Sequence, residues 1–144
     1  MVMSIRQVVS TAIRTRLLEI PDLANAPELT NIDGNFKYFL GIASGLEDVP
    51  YIKSNHIFGG ERTRTPRPEF DLLWQVGVVS EQQPTAEYFD ALIYDALIRN
   101  RLVYLDNWEA DQDITYNGVV FEPDTVQGKQ FWMVGGYYRI RGTK

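Results

Sequence analysis

An alternating run of apolar residues near the middle of the chain constrains its fold more than any other feature. Between residues 70 and 79 every even-numbered position is apolar, so these side chains would share one face of a β-strand. They are Phe70, Leu72, Trp74, Val76 and Val78. A strand with a fully apolar face must be covered there by other elements. We therefore expect a sheet with helices packed on one side.

Two segments have the spacing of amphipathic helices that can provide this cover. The first runs from Ser4, a suitable N-cap, to Leu18, with apolar residues at steps of three and four. The second is expected to begin at a capping Thr85. Its apolar stripe comprises Tyr88, Phe89, Leu92, Ile93, Ala96 and Leu97.

Further strands are predicted on both sides of the second helix. Residues Phe36–Ala43 read as a short strand entered through the turn 33–35, and another short strand is expected near Tyr51. Pro50 weakens that second strand.

Two strands are predicted after the second helix. The first, Ile114–Phe121, contains Asn117-Gly118, a pair typical of a tight hairpin. In the second, Gln130–Arg141, the pair Gly135-Gly136 indicates a bulge or a close backbone approach. The order helix, strands, helix, strands predicts an α+β fold, a mainly antiparallel sheet with two helices packed on one face.

The composition fits a single soluble domain spanning residues 1–144. The chain has 44% hydrophobic residues and 12% aromatic residues, enough for a core at this length. A net charge of −5 disfavours a protein that binds duplex DNA by neutralising phosphates. The absence of cysteine excludes disulfides and thiolate chemistry. No uncharged stretch approaches the length of a membrane span, so we expect no membrane partner.

No group of residues has the spacing of a catalytic, cofactor or metal site, so none is assigned and the chain is expected not to be an enzyme. The lone His56 has no second ligand nearby in sequence, and Ser44 is one place late for a nucleophile elbow. Gly59-Gly60 lacks the context of a phosphate loop. Glu61, Glu69 and Asp71 could supply paired carboxylates, but nothing in the sequence desolvates them for acid–base work. The run Glu109, Asp111 and Asp113 lacks the glycine and glutamate positions of a calcium loop, so we expect a solvated acidic loop.

One basic cluster stands out in an otherwise acidic chain. Residues 58–69 are rich in Gly, Pro and Arg and predict an exposed loop or arm. Its arginines, Arg62, Arg64 and Arg67, lack interleaved aromatic residues for stacking on bases. The two interpretations left open are a solvated loop and an arm that pairs with acidic groups of a neighbouring protein.

Taken together, these segments resemble the tail terminator, or tail completion, proteins of long-tailed bacteriophages, of which the lambda tail terminator is the type. The likeness is carried by the N-terminal helix SIRQVVSTAIRTRLLEI, the Gly/Pro/Arg loop, the strand FDLLWQVGVVS, the helix EYFDALIYDALIRNRL and the final strand FWMVGGYYRIRG. It is a likeness of pattern over most of the chain.

The resemblance implies a structural virion protein that forms a ring, hexameric in that family, at the end of the tail tube. Its implied partners are other copies of itself, the tail tube protein, the head–tail connector or neck proteins, and the tail sheath. The implied location is the tail or neck of the virion, with assembly in the host cytoplasm. Genomic DNA would pass through the ring without specific binding, which suits an acidic protein.

Other roles stay open from the sequence. Within the same class, the alternatives are a head-completion or neck (stopper) protein and a tail-tube subunit. An enzyme would require titratable groups that converge in a pocket, for example around His56. A peptide-binding adaptor would remain a monomer at high concentration.

Overall fold

The computed structural model describes residues 4–40, 49–62, 68–98, 101–102, 105–111, 113–126 and 128–144. Its elements in chain order are α1 (Ile5–Leu18), α2 (Pro21–Ala24), a 3-10 turn (Pro27–Leu29), β1 (Tyr38–Leu40), β2 (Tyr51–Arg62), β3 (Glu69–Ser80), α3 (Gln83–Leu97), β4 (Glu109–Ala110), β5 (Thr115–Val126) and β6 (Lys129–Thr143). Among these described residues, no helix is long and apolar enough to cross a membrane.

The strands form one six-stranded sheet in the order β1-β2-β3-β6, with β4 and β5 both on the far side of β6. Every pairing is antiparallel except that of β1 with β2. Helices α1 and α3 pack against the same face of the sheet. The predicted α+β fold, with a mainly antiparallel sheet and two helices on one face, is confirmed.

The apolar alternation in β3 has the predicted consequence. The five even-numbered side chains from 70 to 78 are buried beneath the helices. All the apolar positions predicted for the first helix are buried as well: Ile5, Val8, Val9, Ala12, Ile13 and Leu17. Ser4 caps α1 through a capping box in which its hydroxyl accepts from the Gln7 N–H at 3.3 Å.

The second helix differs from its prediction at its start and along its stripe. It begins at Gln83 after Gln82, without a side-chain cap, so Thr85 lies inside the first turn. Tyr88 is exposed, whereas Phe89 and Ile93 are buried. The predicted stripe of six residues is therefore wider than the part of α3 that is buried against the rest of the protein.

The two strands before β3 differ from their predictions. Tyr51 begins a strand of 12 residues, although it follows the cis peptide bond between Val49 and Pro50. Strand β1 begins at Tyr38, two residues later than predicted, and residues 41–43 lie outside the described residues.

The hairpin predicted at Asn117-Gly118 is wrong. These residues form a bulge inside β5, where the pairing with β6 shifts between Tyr116 and Gly118. The chain reverses further on, between Val126 and Lys129, where Gly128 has φ of 79°. A 15-residue partner, β6, gives β5 hydrogen-bonding groups on both sides of the Asn-Gly pair, so the pair bends the strand and does not end it.

Gly135 and Gly136 mark a close approach, one of the two predicted alternatives. Strand pairing runs through them without a shift on either side. A Cβ atom at Gly135 would meet the backbone of Val76, and one at Gly136 would meet the ring of Tyr116. The missing side chains therefore let β3 and an aromatic ring lie directly against β6.

A buried polar network connects the helix layer to the sheet. The Trp74 indole N–H donates to Ser54 Oγ, and the Tyr38 hydroxyl donates to the same oxygen at 2.8 Å. The Ser10 hydroxyl of α1 lies 3.1 Å from the Tyr38 hydroxyl. Each of these buried polar groups has a partner, as buried polar groups in native proteins generally do.

The face of the sheet opposite the helices has an apolar end and a charged end. At one end, Val79, Val120, Phe131 and Met133 form a second, smaller apolar cluster. At the other end, the same face carries charged residues around Asp71.

Candidate assembly surface

The sheet has two free edges on opposite sides. Strand β1 covers β2 only at Ile52–Ser54, so within the described residues no strand pairs with that side of β2 from Asn55 to Arg62. At the other side, β5 pairs with β6 alone. Unpaired strand edges offer backbone groups to another strand, and proteins usually block them unless they are used.

Large apolar side chains lie exposed at both free edges. On the β2 edge, Ile57 is 45% exposed and Phe58 is 75% exposed. On the β5 edge, Val119 is 70% exposed and Phe121 is 46% exposed. Apolar residues grouped along unpaired strands are typical of surfaces that bind other proteins.

The basic loop is shorter than predicted. Residues 58–62 belong to β2 and Glu69 begins β3, so both ends of the 58–69 segment are strand. Its glycines are accommodated within the strand, where Gly59 has φ of 90° next to a bulge. Arg62 is exposed at the end of β2 opposite Glu69. Arg64 and Arg67 lie outside the described residues.

Asp71 is the centre of a charged cluster on the face opposite the helices. Arg139 donates two hydrogen bonds to its carboxylate, at 2.7 and 3.0 Å, and Arg141 Nε lies 3.5 Å from the same group. The hydrogen bonds from Arg139 and the charges of Arg139, Arg141 and Arg62 hold the pKa of Asp71 below its usual value. Arg62, Asp71 and Arg139 line an open hollow of about 420 Å³ beside Phe58.

Arg139 and Arg141 were not singled out from the sequence. They alternate along β6 with Tyr138 and Ile140, which are buried on the helix side. This alternation places both arginines on the opposite face, but only the pairing of β6 with β3 brings them to Asp71. Asp71 is therefore an arginine partner, not a free carboxylate.

Opposite charges occupy the two edges at this end of the sheet. One row of paired residues runs from Arg62 through Glu69 and Thr143 to Glu109 of β4. Next to Glu109, the Asp111 carboxylate accepts a hydrogen bond from the Thr143 hydroxyl at 3.0 Å. The row thus begins with a cation at the β2 edge and ends with carboxylates at the β4 edge.

The other candidates are placed apart from this cluster. His56 lies at the β2 edge, where its Nε2 atom is 2.8 Å from the Gly59 carbonyl oxygen and its ring lies beside Trp74. Asp113 pairs with Arg101 at 3.4 Å. Within the described part of the chain, no group of three or more His, Asp or Glu residues has a geometry that could hold a metal ion. Ser44 lies outside the described residues.

No protein-family model and no curated protein matches the sequence. Among solved structures, the α+β fold is similar to that of a chain in the "Virion of native gene transfer agent (GTA) particle". The TM-score is 0.73 at 13% sequence identity, and the match covers 99% of this chain and 100% of that chain. At this identity, the likeness shows that the two chains share a fold along their whole length.

Proposed function

We propose that this chain is a structural protein of a phage-like particle, and within it a tail terminator that forms a ring at the end of the tail tube. The observation that carries the proposal is the full-length match of its fold to a virion chain, 99% of one and 100% of the other. The sequence likeness to tail terminators is a separate line of support for the finer role. On this proposal, the chain acts by assembly and catalyses no reaction.

The two edges of the sheet support a ring. A closed ring is built from heterologous contacts, in which one side of a subunit meets a different side of the next. Here the free part of β2 and the free side of β5 lie on opposite sides of one sheet. Pairing the β2 edge of one copy with the β5 edge of the next would give hydrogen-bond partners to the backbone groups of both edges. It would also bring Arg62 towards the carboxylates at the β4 edge.

The ring would be joined to other particle proteins through its two flat sides. We propose the tail tube protein on one side and head–tail connector or neck proteins on the other, with the tail sheath as a further neighbour. An acidic chain of net charge −5 repels phosphates, so DNA would pass through the opening without specific binding.

The mass of the purified protein tests the proposal. We expect monomers that convert to closed rings, hexameric in the resembling family, alone or on tube ends, seen by mass photometry and negative-stain microscopy. Long tubes formed by the protein alone would instead assign it to the tube subunits. A strict monomer at high concentration that also leaves tube ends bare would overturn the ring.

The basic arm can be tested within the same assay. Replacing Arg62, Arg64 and Arg67 with Glu should weaken ring assembly and leave the fold intact, because charge reversal removes the attraction of the arm to acidic groups of a neighbouring protein. The matched control replaces the same residues with Lys, which keeps the charge and should keep the rings. Unchanged assembly of the Glu variant would contradict the arm.

A further inference from the structure

A single row of aromatic residues crosses the sheet on its helix side and ends near both free edges. Strand pairing places His56 of β2 opposite Trp74, Trp74 opposite Tyr138, and Tyr138 opposite Tyr116 of β5. Both ends of this row therefore lie at the same level of the sheet, one beside β2 and one beside β5. The two ends differ in shape and in charge.

At the β5 end, an incompletely paired polar group lies among tyrosines. The rings of Tyr94 and Tyr116 are 5.1 Å apart, and those of Tyr116 and Tyr138 are 5.4 Å apart, both edge to face. Among the described residues, the buried Oδ1 atom of Asp90, one turn before Tyr94 in α3, has no hydrogen-bond partner. The hydroxyl of Tyr138 is likewise buried and without a partner.

Among the described residues, no cation balances the charge of Asp90. Burial, together with the nearby carboxylate of Glu87, raises the pKa of Asp90 to about 6. Its other charged or titratable neighbours, Tyr94, Tyr116 and Tyr138, are all acidic groups. In the described residues Asp90 forms no ion pair. A carboxylate flanked by aromatic rings is the chemistry that binds a guanidinium or ammonium group.

The same end of the row carries a projecting apolar side chain. Val119 lies two pairs along β5 from Tyr116 on the same face, opposite Gly136, and is 70% exposed. It is therefore an apolar projection at the free edge, next on this face of β5 to Tyr116, and Tyr116 in turn lies near Asp90.

At the β2 end, the corresponding feature is a hollow with a cation at its rim. This hollow of about 430 Å³ lies beside the first turn of α1 and is lined by Arg6, Leu40, His56 and Trp74 among others. Arg6 is exposed and, within the described part of the chain, forms no ion pair.

We propose that the β5 edge of one copy docks into this hollow of a second copy, with Val119 entering it and Arg6 of the second copy pairing with Asp90. The proposal rests on the ring of the proposed function, because a head-to-tail contact is what brings opposite edges of the same sheet together. In this arrangement the Val119 side chain faces the hollow and the Asp90 carboxylate faces the Arg6 guanidinium, at the same level of the sheet. Asp90 as a whole is only half-buried, so its carboxylate can be approached from outside the subunit.

Charge reversal with rescue by mixing tests this contact. Asp90→Arg and Arg6→Glu should each raise the protein concentration needed for rings by about tenfold or more, the scale of losing one close charge pair. In an equimolar mixture of the two variants, rings should return, because alternating copies restore an opposite pair at every contact. Controls with the same charge changes at exposed positions of the same helices, Asp95→Arg and Arg14→Glu, should assemble normally.

A second variant keeps the test independent of how well Asp90→Arg folds. Val119→Glu changes an exposed side chain, so its melting temperature should stay the same while its rings are lost. Variants that form rings as the wild type does would overturn the docking and leave the ring itself standing. Failure of the mixture to assemble would overturn the pairing of Arg6 with Asp90. If the wild type forms no rings, alone or on tubes, the proposed function fails instead.

Discussion

Two polar clusters buried between the helices and the sheet differ in how completely they are hydrogen-bonded. Around Trp74, the indole N–H and the Tyr38 hydroxyl both donate to the Ser54 hydroxyl oxygen. Around Asp90, one carboxylate oxygen and the Tyr138 hydroxyl have no hydrogen-bond partner among the described residues. A satisfied network stabilises the fold, whereas an unsatisfied one costs stability until something completes it. The first cluster therefore serves the subunit, and on our proposal the second serves the contact between subunits.

Trp74→Ala should have the largest effect on stability. Trp74 is fully buried beneath the helices, so its loss leaves a cavity and removes one of the two donors to Ser54 Oγ. We expect a decrease of about 3–5 kcal/mol in the free energy of unfolding, measured by urea titration. Trp132→Ala, at a position that is only partly buried, is the control and should cost less. A loss well below 1 kcal/mol would place Trp74 outside the core.

Ser54→Ala should have an intermediate effect. It removes the acceptor of the buried Trp74 indole N–H, whereas the Tyr38 hydroxyl keeps Ser10 within hydrogen-bond distance. We expect a loss of about 1–3 kcal/mol by the same titration, since an unpaired buried donor keeps its full desolvation cost. A neutral result would show that the satisfied cluster adds little to the stability of the subunit, and would remove the contrast with Asp90.

Asp90→Asn should have the smallest effect, with a sign that depends on pH. Because the pKa of Asp90 is raised from 3.8 to about 6, the stability linked to its protonation is present below pH 4 and is lost as pH rises through 6. Asn stays neutral throughout. At pH 7.5 the variant monomer should therefore be more stable than the wild type by on the order of 1–2 kcal/mol, and near pH 4 the two should match.

Thermal unfolding of both proteins between pH 4 and pH 8 measures this difference. Comparing variant with wild type removes the contribution of Asp71, whose lowered pKa acts in the opposite direction and below pH 4. A difference that does not change with pH would mean that Asp90 is not titrating in this range, and the contrast between the two clusters would then be one of packing alone.

The sequence predicts the elements better than their ends. The Ser4 cap and the alternation from Phe70 to Val78 report local chemistry, and both are confirmed. The Asn117-Gly118 pair has the local chemistry of a turn, but strand β6 continues past it and makes it a bulge. The glycines at 59 and 60 favour a loop, yet pairing with β3 keeps them in β2. Where a long partner strand is present, its hydrogen bonds outweigh the local preference.

The sequence predicts the residues of the assembly surface less well than it predicts the elements. Arg62 stands out because arginines cluster around it in sequence, whereas Arg139 and Arg141 come from a strand almost 70 positions beyond Asp71. Asp90 looks like any acidic residue on the polar side of a helix. Its burial follows from the packing of α3 against β6, which the spacing of residues in the sequence does not predict.

The sequence by itself determined which segments are apolar on one side, and hence that two helices must cover one face of a mainly antiparallel sheet. Periodicity is a local property, and burial of the apolar side is the strongest force acting on it. Only the tertiary structure decided which edges stay open and which charges meet. Those depend on strand order and register, through which Asp71 joins Arg139 and a single row places His56 and Tyr116 at opposite edges.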